Sequence, residues 1–376
     1  MRPDITKAES QKMPTTDPIE LVRQLIALPA PPGEEAAVRD WLRRKLETIG
    51  YATKTDTKGN LLVTLAAQRQ DSSTTVSTIL VTAHMDEIAL MITKIEDDGK
   101  IRVAAFGGAY AWKWGEGPVD ILTRDGAVPA ILSFGSIHTN SEKSVAEFAR
   151  KNPLSWDKTY LYTGLSQSEL QNSGVRPGLR VVLALSRRVV TEFGCCVASY
   201  FLDDRADLAV WMLALEAILR EGITYAADIT FAATASEEVG GTGALHILNS
   251  KPADICIALE IGPKTPEADF PIDSHPTIWV RDGYAAMDAA DGEILTDCCQ
   301  RLGQAPHWQY LSRGGSDASC AAANGLCART VTLGIPVENS HGYEIMHRDA
   351  PNELVRLLLD YLKAAAASVV NEAAAG

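Results

Sequence analysis

No uninterrupted apolar run in this 376-residue chain is long enough to cross a bilayer, so no helical membrane span is expected. Positive charge is in deficit. The 35 Lys and Arg against 48 Asp and Glu leave a net charge of −13 and a pI of about 5.1. That balance argues against nucleic acid as a partner and steers anionic substrates poorly. The seven cysteines lack pattern: four form the adjacent pairs Cys195-Cys196 and Cys298-Cys299, and no C-x-x-C spacing occurs. Such a set indicates neither a disulfide framework nor a cysteine zinc site. A reducing cytoplasm is the simplest location. The stretch from Met1 to Asp17 is polar without an apolar core, which does not read as a signal peptide. Repeats and low-complexity blocks are missing, apart from alanine runs near the C-terminus. What is present is ordinary for a globular protein: 46% hydrophobic and 22% charged residues. The length suffices for a large core and two domains.

Residues 1–16 read as a loose tail. Asp17 is placed to cap a helix carrying Ile19, Leu21, Val22, Leu25 and Ile26, which Pro31-Pro32-Gly33 breaks. A second amphipathic helix is predicted from Glu34 to Ile49, ending at Gly50. Asn60 to Leu65 and Thr78 to Ala83 read as strands, the latter apolar enough to be central. From Thr93 to Val189 short β-type runs alternate with Gly, Pro and Asp turns, as in a small β-rich, barrel-like insert. Helical and buried-strand patterns then return. A helix follows Asp204, strands cover Asp228 to Thr234 and Asp254 to Leu259, and a last helix spans Asn352 to Val370. The pattern is an α/β domain interrupted by a β insert.

Acidic and imidazole side chains stand at or just past the ends of the α/β strands, where open α/β sheets build their sites. His84 follows Ile79 to Ala83, and Asp86 lies two residues on, on the same side of an extended chain. A carboxylate there can accept the second ring N–H of His84 and fix its tautomer. The blander alternative is a buried histidine closing a strand. Asp203-Asp204 opens a helix, so a cap at the positive helix end competes with metal binding. The two coexist if Asp203 bridges metals while Asp204 caps. Glu237-Glu238 ends the strand Ile229 to Thr234; adjacent carboxylates repel, and a cation relieves the cost. One of them can bind metal while the other faces a reacting water. Glu260 ends Ile255 to Leu259 and needs a partner, metal or salt bridge. His341 follows the strand Thr330 to Ile335, with His347 as its competitor. Arg313-Gly314-Gly315-Ser316-Asp317 is a glycine turn whose N–H groups can cradle a carboxylate or an oxyanion. His138, in the insert, is a candidate to reach a neighbouring site. The joint inventory is that of two divalent cations clamping a water and a carbonyl.

With Phe106-Gly107-Gly108, His138, Asp203-Asp204-Arg205, Glu237-Glu238-Val239-Gly240 and Gly315-Ser316-Asp317-Ala318 in order, the chain resembles the tetrahedral aminopeptidases. These are the glutamyl aminopeptidase and endoglucanase-like family of co-catalytic metallopeptidases, and the resemblance covers about residues 17–370. It implies a mixed-sheet α/β/α metallopeptidase domain of the zinc-peptidase/phosphorylase-like class over 17–92 and 190–376. A β-barrel-like dimerisation domain is implied over 93–189. Two divalent metal ions are implied, zinc first, with cobalt or manganese as alternatives. By resemblance Asp203 bridges both metals, His84 and Glu260 complete one site, and Glu238 and His341 complete the other. Glu237 is the general base, Asp86 orients His84, and the Asp203–Asp204 peptide is cis. Gly315, Ser316, Asp317 and His138 fall to substrate binding.

Two departures stand out. The family usually carries Asp where Glu260 stands, and His-Ser-Pro where this chain has His341-Gly342-Tyr343. The second feature is similar to a bacterial subgroup found beside genes for a dipeptide-type osmoprotectant, which implies a specialised substrate. The expected activity is removal of the N-terminal residue from short peptides, with dimers and a tetrahedral dodecamer as the implied assemblies. A dipeptidase or deacylase on the same site is the nearest alternative. Glycoside hydrolysis by a carboxylate pair fits less well, since it needs no imidazole ligands. A non-catalytic scaffold would not need every ligand position.

Overall fold

The computed structural model describes residues 16–68, 76–141 and 143–375; residues 1–15 of the expected tail lie outside them. The chain opens with α1 (Pro18–Ile26) and α2 (Ala36–Ile49), then β1 (Lys54–Thr55), β2 (Leu61–Leu65) and β3 (Thr78–His84). Six strands follow: β4 (Ala89–Ile95), β5 (Ile101–Phe106), β6 (Gly117–Thr123), β7 (Gly126–Ser133), β8 (Tyr160–Tyr162) and β9 (Arg180–Leu183). Short helices α3 (Ala111–Trp114), α4 (Val145–Ala149) and α5 (Gln167–Asn172) lie among them. The remainder runs β10 (Thr191–Phe193), β11 (Cys196–Tyr200), α6 (Leu202–Glu221), β12 (Asp228–Thr234), α7 (Thr242–Ser250), β13 (Ile255–Pro263) and β14 (Thr277–Arg281). It closes with α8 (Ala289–Leu302), β15 (His307–Tyr310), α9 (Asp317–Ala323), β16 (Arg329–Val337), β17 (Tyr343–His347) and α10 (Ala350–Ala375).

Eight strands form one mixed sheet in the order β1-β2-β12-β3-β13-β16-β14-β15. Its centre, β12-β3-β13-β16, is parallel. Parallel strands must be covered on both faces, and their apolar runs reflect that. Side chains alternate between the faces. Ile79, Val81 and Ala83 join the large core with α1, α6 and α10. Leu80, Ala232, Cys256 and Ala258 face α9 and α7 in a smaller cluster of small side chains. Period two then puts His84, Thr234 and Glu260 on that second face, at the strands' C-terminal ends.

Strands β4 to β9 close into a barrel with its own apolar core. The two chain crossings between barrel and sheet are tied by one buried carboxylate. Glu87, just after β3, takes Arg188, just after the barrel, and Arg205 of α6, all three buried. Arg188 also donates to the carbonyls of Ile26 and Leu183.

A three-stranded sheet, β10-β11-β17, does the remaining positioning. β11 and β17 pair antiparallel, Tyr200 opposite Tyr343. Asp203 lies three residues beyond Tyr200 and His341 two before Tyr343, so this register brings together residues about 140 apart in sequence.

Candidate metal centre and cavity

Two groups of side chains could each hold a metal ion: His84, Asp203, Asp204 and Glu260, and Asp203, Glu238 and His341. Asp203 belongs to both. Its Oδ1 lies 3.0 Å from His84 Nε2 and its Oδ2 lies 3.4 Å from His341 Nε2. Glu260 Oε2 is 3.8 Å from His84 Nε2, and Glu238 Oε2 is 4.0 Å from His341 Nε2.

Both imidazoles are oriented from behind by backbone oxygens. His84 Nδ1 meets the Asp86 carbonyl at 3.1 Å, and His341 Nδ1 meets the Gly108 carbonyl at 3.0 Å. Donation from Nδ1 leaves each Nε2 lone pair toward Asp203, the tautomer a metal ligand needs. The Asp86 carboxylate stands 3.5 Å from His84 Nδ1 and mainly accepts the N–H groups of Glu237 (2.9 Å) and Glu238 (3.1 Å). Asp86 therefore fixes the Glu237-Glu238 turn as well as the imidazole.

Asp204 is not a helix cap. Its Oδ2 accepts the N–H of His84 at 2.7 Å, and no side chain caps the start of α6. The Asp203–Asp204 peptide is cis. Glu344, for which the sequence suggested no role, is buried and accepts two backbone N–H groups, from Asp203 at 3.0 Å and from His341 at 2.8 Å. One carboxylate thus joins the two loops. All four non-glycine residues with positive φ among the described residues lie on the loops bearing the site: Phe201, Ser236, Asn339 and His341. Strained backbone of this kind gathers where surrounding contacts over-determine a site.

The electrostatics test whether cations fit. Neither group contains a Lys or Arg. Burial pushes Glu238 up to about 7 and Glu344 to about 8, with the nearby Asp203 charge adding to both. Burial also raises Glu237 and Glu260 well above the carboxylate range. For Asp203 burial acts the same way, but hydrogen bonds from His341 and His84 outweigh it and hold the carboxyl low. Burial lowers both imidazoles, but the surrounding carboxylates raise them well above their usual value. The protein places more buried negative charge here than its own cations balance, as a divalent-ion site does.

These side chains face a cavity of about 450 Å³, bordered by Glu237, Trp279, Tyr284, Leu311, Arg313 and Gly315 among others. Of the expected substrate contacts, only Gly315 lines it. Ser316 is buried and bonded to Thr332 at 2.7 Å, and Asp317 accepts from Thr234 at 2.6 Å. His138 is exposed on the barrel, outside the cavity. His347 sits at the end of β17 opposite Cys196, outside both ligand groups.

Comparison with known proteins places the chain that carries this cavity and His/Asp/Glu cluster among the peptide hydrolases. The family model of the M42 glutamyl aminopeptidases matches residues 59–357, and the chain belongs to that family. It is 23% identical over 328 residues to the glutamyl aminopeptidase of Lactococcus lactis, covering 86% of this chain and 89% of that protein. The lysyl aminopeptidase of Pyrococcus furiosus is 25% identical over 244 residues, 64% of this chain and 66% of that protein. The fold is shared with the TET1 peptidase of Pyrococcus horikoshii, which can assemble into a tetrahedron or a large octahedral shell. There the TM-score is 0.77 at 23% identity, over 92% of this chain and 99% of that one. Among the described residues, no helix is long and apolar enough to cross a membrane.

Proposed function

We propose that the chain is a binuclear metallo-aminopeptidase removing the N-terminal residue of short peptides. The observation that carries this is Asp203, whose two oxygens face two imidazole Nε2 atoms, each with a further carboxylate. His84, Asp203 and Glu260 would hold one divalent ion, and Asp203, Glu238 and His341 the other, zinc being the first candidate for that donor set. Bound there, such ions supply Lewis acidity toward a water and a scissile carbonyl.

The remaining steps belong to the protein. Glu237 borders the cavity with its backbone held by Asp86, so its carboxylate is positioned to take the water's proton and return it to the leaving amine. The carboxylate-rich wall attracts the substrate's free ammonium group. We assign residues 17–92 and 190–376 to the catalytic unit and 93–189 to an insert that pairs two copies. Exposed Ile131, Ile137 and Tyr162 on the barrel support that pairing, as does the shared fold with assembling peptidases. Light scattering reads the assembly directly.

The test is hydrolysis of alanine p-nitroanilide. Dialysis against chelator abolishes it and zinc restores it, whereas Glu237→Gln lowers turnover by about 10²–10⁴-fold while zinc affinity stays unchanged. Undiminished turnover in the chelated protein removes the metal from the mechanism. Near-normal turnover in the variant removes Glu237 from its role.

A further inference from the structure

One side chain in the cavity is not used by the chemistry above. Arg313 lies between β15 and α9 and borders the cavity beside Trp279, Tyr284 and Leu311. Its guanidinium has no hydrogen bond, ion pair or ring contact among the described residues. Nearby arginines are engaged: Arg281 lies over Tyr310, and Arg301 pairs with Asp360.

The segment bearing Arg313 is pinned on both sides. The Leu311 N–H donates to the Arg281 carbonyl at 2.9 Å, and the Gly283 N–H donates to the Gly314 carbonyl at 3.1 Å. The Tyr284 ring occupies the space that a Cβ on Gly315 would need. The cation is therefore held on the β14–β15 side of the cavity by a fixed loop.

Charge and depth together say what it meets. Asp203, Glu237, Glu238 and Glu260 also line the cavity, and His341 is its other basic group. Asp203 and Glu260 are 8% and 5% exposed, whereas Arg313 is exposed at the mouth. A peptide with its N-terminal residue at the buried carboxylates directs its trailing end outward. In the shortest peptides that end is a carboxylate, the planar partner that a guanidinium fork matches.

We infer that Arg313 is a subsite for the C-terminal carboxylate of the substrate, and that dipeptides with a free carboxylate are the preferred class. This rests on the peptidase reading above. Each added residue carries the carboxylate about 3.3–3.6 Å further out, so the preference declines with peptide length.

The experiment compares alanyl-alanine, alanyl-alaninamide, glutamyl amide and alanine p-nitroanilide on the metal-loaded protein and its Arg313→Met and Arg313→Lys variants. The wild type should favour alanyl-alanine over its amide by about tenfold, the low end for a charged hydrogen bond at an exposed position. Arg313→Met should erase that preference through KM with kcat held, and Arg313→Lys should keep part of it. Added salt should weaken it in the wild type and in Arg313→Lys and leave Arg313→Met unmoved. Alanyl-alaninamide and alanine p-nitroanilide, which lack a carboxylate, should each be cleaved equally well by all three proteins. Equal losses on every substrate, no loss on any, or a loss confined to glutamyl amide each overturn the assignment. A wild type that cleaves none of the four refutes the peptidase reading instead.

Discussion

Gly108→Ala isolates the contribution of the barrel to the proposed metal centre. Gly108 lies in the loop between β5 and α3, and its carbonyl accepts from His341 Nδ1. A Cβ there would stand inside 3.0 Å of both Cε1 and Nδ1 of His341. Real structures do not tolerate that distance, so the imidazole must move or the loop must retreat. The His341 side chain is 30% exposed, which gives the ring room to move. The fold should therefore lose only about 1 kcal/mol, the low end for overpacking. The centre should lose more, because shifting the ring breaks the bond that sets its tautomer. Outer partners of this kind are worth about 10–100-fold in metal affinity or activity. Zinc affinity by competition titration, kcat/KM on alanine p-nitroanilide and thermal unfolding of the metal-free chain read the three quantities separately. Lys113→Met is the control. It removes the Lys113 bond to the Ser340 carbonyl on the same loop without entering the ring's space, and should cost under about threefold. If Gly108→Ala binds zinc and turns over as the wild type does, the barrel does not orient His341. If it loses stability alone, the contact is packing and nothing more.

Two further outcomes follow from buried charge. Glu87→Gln leaves Arg188 and Arg205 buried together without a counter-charge and should cost about 3–5 kcal/mol in urea unfolding; a loss under about 1 kcal/mol would show that water reaches the cluster. Asp207 is buried, and burial pushes its carboxyl up to about 8, with a hydrogen bond shared with Asp204 working against the shift. The unfolded chain releases that proton near pH 4 and the folded chain near pH 8, so stability falls as pH rises across the window. Asp207→Asn should lack this fall. Its advantage over the wild type should grow between pH 5 and pH 8 by more than about 1 kcal/mol, and parallel profiles would contradict the burial argument.

The legible part of this protein was the part written in local pattern. The runs Ile79 to Ala83 and Ile255 to Leu259 announce central strands because both their faces are covered, and His84 and Glu260 stand out as polar residues closing such runs. The insert read as a small barrel-like unit of turn-separated β segments, but the strand order that closes it was not legible, since closure depends on which strands pair. Asp204 was misread because local capping competes with a distant acceptor role, and the His84 N–H 120 residues away takes its oxygen instead. Glu344 was silent, and Gly108 stood out only as part of a motif with no role read from it, for a related reason: they act on or through backbone groups, and no residue type marks that. The last helix begins at Ala350 rather than Asn352 because Pro351 is tolerated in a first turn, and it continues to Ala375 through strong helix formers.

The loop from the barrel that cradles His341 has a consequence for biosynthesis. The centre draws on β3, the barrel, the start of α6, the turn after β12, the end of β13 and the loop before β17, so it closes only when nearly all the chain is made and the insert has docked. A nascent or clipped form that lacks any of these segments therefore lacks the full set of candidate ligands.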